Sequence, residues 1–237
     1  MPDEITESAK AVQEAAKTVR TGIEATQQLG RFVSRITTEP LDTVMGILND
    51  KLQFMRWERK LRLAERGREL LRERGIEGPL RPVPFKLAVP IVENASLEDN
   101  NELQDLWANL LASAVDPKFD GLVRSAYIDI IKQLEVVDVH LLNAVYESYH
   151  QWLEERLRGG KEAGGGYYSS RHHKVYKNDI IERLGISSSV YDDSTDNLIR
   201  VRCVGLYFYH SGELFITSLG VHFVEACTRP TVRQTLP

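Results

Sequence analysis

Cysteine is scarce in this chain of 237 residues, which contains only Cys203 and Cys227. The two residues show no paired spacing, so the sequence does not indicate a disulfide framework. We predict two reduced, buried thiols in a cytosolic protein, and a disulfide or redox pair is the less favoured alternative.

Long apolar runs are missing too, since none approaches the roughly 18 residues that a membrane-spanning helix needs. The first residues, MPDEITESAK, are acidic and polar, so we expect no secretory signal and predict a cytoplasmic protein. A formal net charge of -4 gives no overall attraction to nucleic acid or to an anionic membrane. The composition, 42% hydrophobic and 27% charged, is typical of a soluble globular protein.

Motifs of catalysis and of cofactor binding are also absent from the sequence. No Gly-x-Ser-x-Gly nucleophile motif occurs. The glycine-rich stretch at 158–170 lacks the Gly-Lys-Ser/Thr of a phosphate loop, so we interpret it as a linker. His140, His150 and the pair at 172–173 have no partner at metal-ligand spacing. We predict that the chain is not an enzyme and has no catalytic residue, cofactor or metal site.

Two acidic clusters could bind a metal ion, and the second could also serve as a general acid or base, but we interpret both as structural. The first has the spacing of a magnesium-diphosphate motif but no second acidic motif, and the second lies where a helix begins, where its dipole favours carboxylates anyway. The first cluster is Asp192, Asp193 and Asp196, and the second is Glu98, Asp99, Glu102 and Asp105.

Helical periodicity is what the sequence has in abundance, most clearly from Glu102 to Val115. Its apolar residues recur at three- and four-residue steps and cover most of the helix, which predicts a helix inside a bundle. They are Leu103, Leu106, Trp107, Leu110, Leu111 and Ala114, with Ala108, Ala112 and Val115 beside them and a polar edge of Glu102, Asp105 and Asn109. Ser96 and Asp99 resemble the capping signal of this helix.

The amino-terminal region shows a strict heptad pattern, which we call the candidate interaction seam. It consists of Ile5, Ala9, Val12, Ala16, Val19 and Ile23. Such a narrow seam predicts coiled-coil packing against another helix of this chain, a second copy or a target protein. Membrane binding is disfavoured, because lysine and arginine are offset by glutamate on the polar face.

A basic strip follows between Lys51 and Arg74, where nine Lys or Arg residues stand against four Glu. One interpretation is a site for phosphate or an acidic partner. The favoured interpretation is a solvated helix edge with ion pairs four residues apart, because the arginines are spread around the helix.

The carboxy-terminal part follows the order of a winged helix: helix, turn, helix, β-hairpin and closing helix. We predict caps at Asn178, at Ser187 or Ser188, and at Thr217 or Ser218, with Gly185 ending the first helix. The second helix carries three aspartates and no lysine or arginine before Arg200, so a structural or protein-docking role is favoured over DNA binding. A candidate nucleic-acid rim for the alternative, a DNA-binding regulator, is Lys174, Lys177, Arg183, Arg200 and Arg202.

These patterns predict a mainly α fold, a helical bundle with a winged-helix-like module that contains a small β-hairpin. The predicted segments are a heptad-patterned arm (1–39), a helical core bundle (40–157), a glycine-rich linker (158–170) and the winged-helix-like module (171–237).

Two stretches of this sequence resemble the signature of the abortive infection alpha family. They are PVPFKLAVPIVENASLEDNNELQDLWANLLASAVDP and YIDIIKQLEVVDVHLL. The matching residues are Pro84, Pro90, Ser96, Leu97, Glu98, Leu103, Gln104, Trp107, Leu110, Leu111, Asp116, Ile130, Lys132, Gln133, Leu134, Asp138 and Leu142. The resemblance implies a role in bacterial phage resistance and supplies no catalytic residue. We expect the protein to act through contacts with a protein partner or a second copy, formed by its amino-terminal helix.

Overall fold

The computed structural model describes residues 17, 20–21, 23–24, 26–52, 57–76, 78–158, 173–207 and 213–228. These residues are mostly helical, with a small three-stranded antiparallel sheet near the carboxy terminus. The predicted fold class is therefore confirmed, whereas the winged-helix assignment stays a prediction. The chain divides into two compact units, Met1–Leu122 and Val123–Pro237.

Each unit is built from a consecutive run of elements. Among its described residues the first unit contains α1 (26–37), α2 (Leu41–Leu52), α3 (Trp57–Glu73), α4 (Phe85–Leu97) and α5 (Asn101–Val115). The second contains α6 (Ser125–Ile131), α7 (Val136–Arg158), β1 (Val175–Tyr176), α8 (Lys177–Leu184), α9 (Ser188–Arg200), β2 (Val204–Leu206), β3 (Glu213–Ile216) and α10 (Ser218–Cys227).

The boundary between the units lies inside the segment 40–157, for which one core bundle was predicted. The physical reason is the packing of α7, which contacts α8, α9, α10 and the small sheet. This long helix is therefore the centre of the second unit.

The helix α5 is the core of the first unit, as its periodicity predicts. It packs against α3 and α4. Trp107 is 1% exposed, and all the apolar residues of its predicted face are buried. The small residues Ala108 and Ala112 are buried as well, which lets neighbouring helices approach closely.

The predicted cap of α5 at Ser96 and Asp99 is wrong. Ser96 lies in the last turn of α4, buried, and its hydroxyl donates to the Val92 carbonyl at 2.7 Å. The cap is Asn100, whose Oδ1 accepts hydrogen bonds from the backbone N–H groups of Glu102 (2.8 Å) and Leu103 (3.3 Å). Asparagine caps a helix as well as serine does, and the serine hydroxyl is already satisfied within α4.

The sheet of the second unit has the strand order β1-β3-β2, with both pairs antiparallel. The β2–β3 pair is the predicted hairpin, and Val204 faces Ile216 in its register. Its tip, at 208–212, lies outside the described residues. The strand β1 was not predicted, because its two residues are too short to show a period of two.

Three of the predicted helix signals in this unit are confirmed. Gly185 ends α8 in the left-handed region with a φ of 63°. Ser187 caps α9 and Thr217 caps α10, each through its side-chain oxygen. The predicted cap at Asn178 is wrong: α8 begins at Lys177, two residues before the start that this cap implies, directly after β1, and it has no side-chain cap.

Gly220 allows α10 to lie against the start of β2. A Cβ atom at this position would stand 2.1 Å from the Cys203 carbonyl oxygen, a backbone atom that cannot move independently. We expect Gly220→Ala to lower the free energy of unfolding by about 1–3 kcal/mol through overpacking. Chemical denaturation followed by circular dichroism measures the loss.

The matched control is Gly46→Ala, in the exposed part of α2, where no described atom lies within 4 Å of the added Cβ. We expect this substitution to be stabilising by about 0.5–1 kcal/mol, because alanine favours helix. Equal stability of Gly220→Ala and the unchanged protein would contradict the close approach.

Candidate functional site

The basic strip of α3 faces α5, and we call four of its residues the arginine ladder. They are Arg59, Arg62, Arg66 and Arg74, the last just beyond the end of α3. Arg59 donates to the Leu97 carbonyl at 2.9 Å and forms an ion pair with Asp99. The ladder therefore begins at the junction of α4 and α5.

The middle of the ladder is organised around Asp105 of α5. Its Oδ1 lies 3.5 Å from Arg62 Nη2 and 3.4 Å from Arg66 Nε. Arg66 also contacts Glu69 at 2.5 Å and Glu73 at 3.4 Å within α3. Burial alone would lower the pKa of the Arg66 guanidinium, but the hydrogen bond with Glu69 and the surrounding carboxylates raise that pKa above its ordinary value.

The far end of the ladder binds neutral side chains of α5. Arg74 donates to Ser113 Oγ at 2.9 Å and to Asn109 Oδ1 at 3.1 Å. The polar edge of α5 thus faces the arginines of α3. The solvated-edge interpretation is wrong for Arg66, whose side chain is only 15% exposed and lies between carboxylates.

The acidic cluster at the start of α5 also makes its contacts within the first unit. Asp99 and Asp105 are bound by ladder arginines, and Glu98 accepts a hydrogen bond from the Asn100 backbone at 3.0 Å. Within the described part of the chain, no group of three or more His, Cys, Asp or Glu residues could hold a metal ion.

Four of the five rim cations are held by acceptors of this chain. Lys174 binds Glu213 at 2.7 Å, Lys177 binds Asp192 at 2.5 Å, Arg183 pairs with Glu147, and Arg200 donates to Gln133 and Asn197. Arg202 is exposed and adopts the left-handed region with a φ of 64°. A phosphate would have to compete with these partners, and no observation favours DNA binding through the rim.

Asp138 is a buried carboxylate that joins the start of α7 to α9. Asp138 is only 2% exposed. Oδ1 accepts from Ser194 Oγ at 2.6 Å, and Oδ2 accepts from Asn197 Nδ2 at 2.6 Å and from the Glu135 backbone N–H at 2.8 Å. The resemblance had pointed to Asp138, but not to Ser194 or Asn197.

His173 has an environment that the sequence did not suggest. Its Nε2 lies 2.9 Å from Ser148 Oγ, and its ring is 5.5 Å from that of Trp152 and 6.4 Å from that of Tyr149. Burial lowers the pKa of His173, and the charge of Glu155 opposes that shift. His150 is an exposed histidine beside Glu154, and His172 lies outside the described residues.

The two cysteines are free and buried, as predicted. Burial raises the pKa of the Cys203 thiol to about 12, so it stays protonated at neutral pH. A reactive cysteine needs an exposed, low-pKa thiolate, and Cys203 has the opposite environment.

The candidate interaction seam falls mostly outside the described residues, which include none of Ile5, Ala9, Val12, Ala16 and Val19. Its last member, Ile23, is 55% exposed. Further along the chain, Leu29, Val33 and Ile36 of α1 are fully buried. The docking role of the seam stays a prediction.

Comparison with known proteins gives one match. The model of the abortive infection alpha family matches residues 58–227, most of the chain. Neither the curated proteins nor the solved structures gave a match. None of the described helices is long and apolar enough to cross a membrane.

The matched span begins in α3 and ends in α10. It contains the arginine ladder, Trp107 and Asp138, which are the residues that hold the elements of each unit together. On this match, the chain belongs to the abortive infection alpha family.

Proposed function

We propose that this protein acts in bacterial resistance to phage, in the cytoplasm, through contacts with other proteins and without catalysis. The family match supports the role in abortive infection. The observation that carries the rest is how the polar residues of the matched span are used. Asp138, Asp105 and Arg66 hold helices together instead of facing a substrate.

The candidate interaction seam is the surface that we assign to these contacts. It precedes residue 58, where the family match begins. Ile23 exposes an apolar side chain at a heptad position, and a heptad pattern of apolar residues is suited to pairing with a partner helix. The seam therefore combines a sequence pattern suited to protein contacts with a place outside the family-matched span.

A plaque assay on bacteria with and without the gene tests the role in phage defence. We expect Val12→Asp and Ile23→Asp to abolish protection, because a buried carboxylate would disrupt helix pairing. The protein should still accumulate and keep its unfolding transition. A pull-down from infected cells should lose the same partner that the unchanged protein captures.

The matched control is Gln27→Asp, an exposed position of α1 that is not part of the seam, which should protect fully. If both seam variants still protect, the seam is not the docking surface. If the unchanged gene gives no protection against any phage tested, the proposed role in defence is wrong.

A further inference from the structure

We propose that His173 is an acid-sensitive latch: its neutral ring holds β1 against α7, and its protonation releases β1 from the edge of β3. The latch is independent of the proposed function. The residues on which it rests belong to the second unit, and the structure describes each of them.

The strand β1 is weakly held by its own pairing. It contributes only two residues to the sheet, with Val175 opposite Leu214 and Tyr176 opposite Glu213. A pairing of two residues makes few ladder hydrogen bonds, so β1 depends on the packing of the buried Val175 and on side chains next to the strand.

His173 supplies one attachment, two residues before Val175. Its ring lies against Trp152 and Tyr149 of α7, with an angle of 32° between the His173 and Trp152 planes. The hydrogen bond of 2.9 Å between its Nε2 and Ser148 Oγ joins it to the same helix. A second attachment is the ion pair of Lys174 with Glu213.

Protonation acts against the His173 attachment. A neutral imidazole has one donor and one acceptor nitrogen, whereas the cation has two donors; the Ser148 hydroxyl can accept from one of them, and the other needs water or a further acceptor in a half-buried place. The Trp152 ring already carries the guanidinium of Arg156 at 5.2 Å, so a second cation beside it meets a like charge.

The other charged groups around the latch partly cancel. Glu155 on α7 favours the cation, while Lys174 on the strand side is neutralised by Glu213. Tyr149 is a titratable neighbour on α7, and burial followed by the charge of Glu225 on α10 raises its pKa. Burial has the largest influence on His173 and lowers its pKa.

The direction of the pH effect follows from this lowered pKa. The latch is fully closed above the ordinary histidine pKa of about 6.5, and its stabilisation is lost as the pH falls through the lower pKa of the closed state. Each unit of difference between the open and closed pKa values favours opening about tenfold. Opening uncovers the backbone of β3, a free sheet edge.

Hydrogen–deuterium exchange on the full-length protein tests the latch. After correction for the intrinsic pH dependence of exchange, we expect the amides of β1 and β3 to lose protection between about pH 7.5 and about pH 5.5. The variant His173→Phe keeps a flat ring but cannot be protonated, so its protection should not change with pH. The control variant is His150→Gln, at an exposed histidine of α7, and its loss of protection should equal that of the unchanged protein.

The proposal is overturned if the unchanged protein shows no loss of protection, or if His173→Phe shows the same loss. Should His173→Phe not fold, an NMR titration of the His173 imidazole in the unchanged protein decides. A value below about 6.5 supports the latch, and a value at or above it overturns the proposal.

Discussion

Replacing Trp107 with alanine is expected to lower the free energy of unfolding by about 3–5 kcal/mol, because the substitution leaves a large cavity in the middle of α5. Trp107 is 1% exposed, and the helix that carries it packs against α3 and α4. Among the described residues its buried indole Nε1 has no hydrogen-bond partner, so its stabilisation comes from packing. We therefore expect Trp107→Phe, which keeps much of the volume, to lose considerably less than Trp107→Ala.

Chemical denaturation of the purified protein measures this loss. The control is Leu97→Ala, an apolar residue near the end of α4 that is 62% exposed, for which we expect a change within about 0.5 kcal/mol. Any phage protection should be lost with Trp107→Ala only to the extent that the protein unfolds. A stable Trp107→Ala protein without activity would instead make Trp107 part of a working site.

Asp138→Ala is expected to lower the free energy of unfolding by about 2–4 kcal/mol, because each buried donor left without its acceptor costs about 1–3 kcal/mol. The substitution leaves the Ser194 hydroxyl, the Asn197 amide and the Glu135 backbone N–H without the acceptor they share. Asp138→Asn should cost less than Asp138→Ala, because the amide oxygen replaces one carboxylate oxygen as acceptor while its NH2 group replaces the other.

Denaturation followed by near-ultraviolet circular dichroism measures this loss, and Tyr149, Trp152 and Tyr191 are aromatic side chains of the second unit that contribute to the signal. The matched control is Asp129→Asn on α6, an exposed carboxylate of the same unit, which should change the unfolding free energy by less than about 0.5 kcal/mol. Wild-type stability of Asp138→Ala would show that the network does not hold α9 to α7.

Local patterns in the sequence were enough to predict the helices with strong periodicity and several of their ends. The apolar face around Trp107 sets the helix α5 by itself, since almost every turn contributes to it. Gly185 and Thr217 act within a few residues of their own backbone, so their roles are visible without knowing the tertiary fold.

The interactions that were missed depend on which surfaces meet. Arg66 and Asp105 are 39 positions apart in the chain, and nothing local shows that they face each other. The same holds for Ser194, which reaches Asp138 across 56 positions. The roles of the basic strip and of the acidic start of α5 are therefore ambiguous in the sequence. They become clear only in the fold, where α3 packs against α5 and the two sets of charges form ion pairs.

The network of Asp138 has a consequence for folding during synthesis on the ribosome. The ladder contacts of the first unit are complete once α5 has emerged, since Arg74 and its partner Ser113 are the last of them. Asp138, in contrast, must wait until Ser194 and Asn197 have been translated. Domains generally fold as units during translation, the amino-terminal unit first. A nascent chain that has just released α7 therefore carries the Asp138 side chain without its partners on α9, and we expect the second unit to close over it only when α9 arrives.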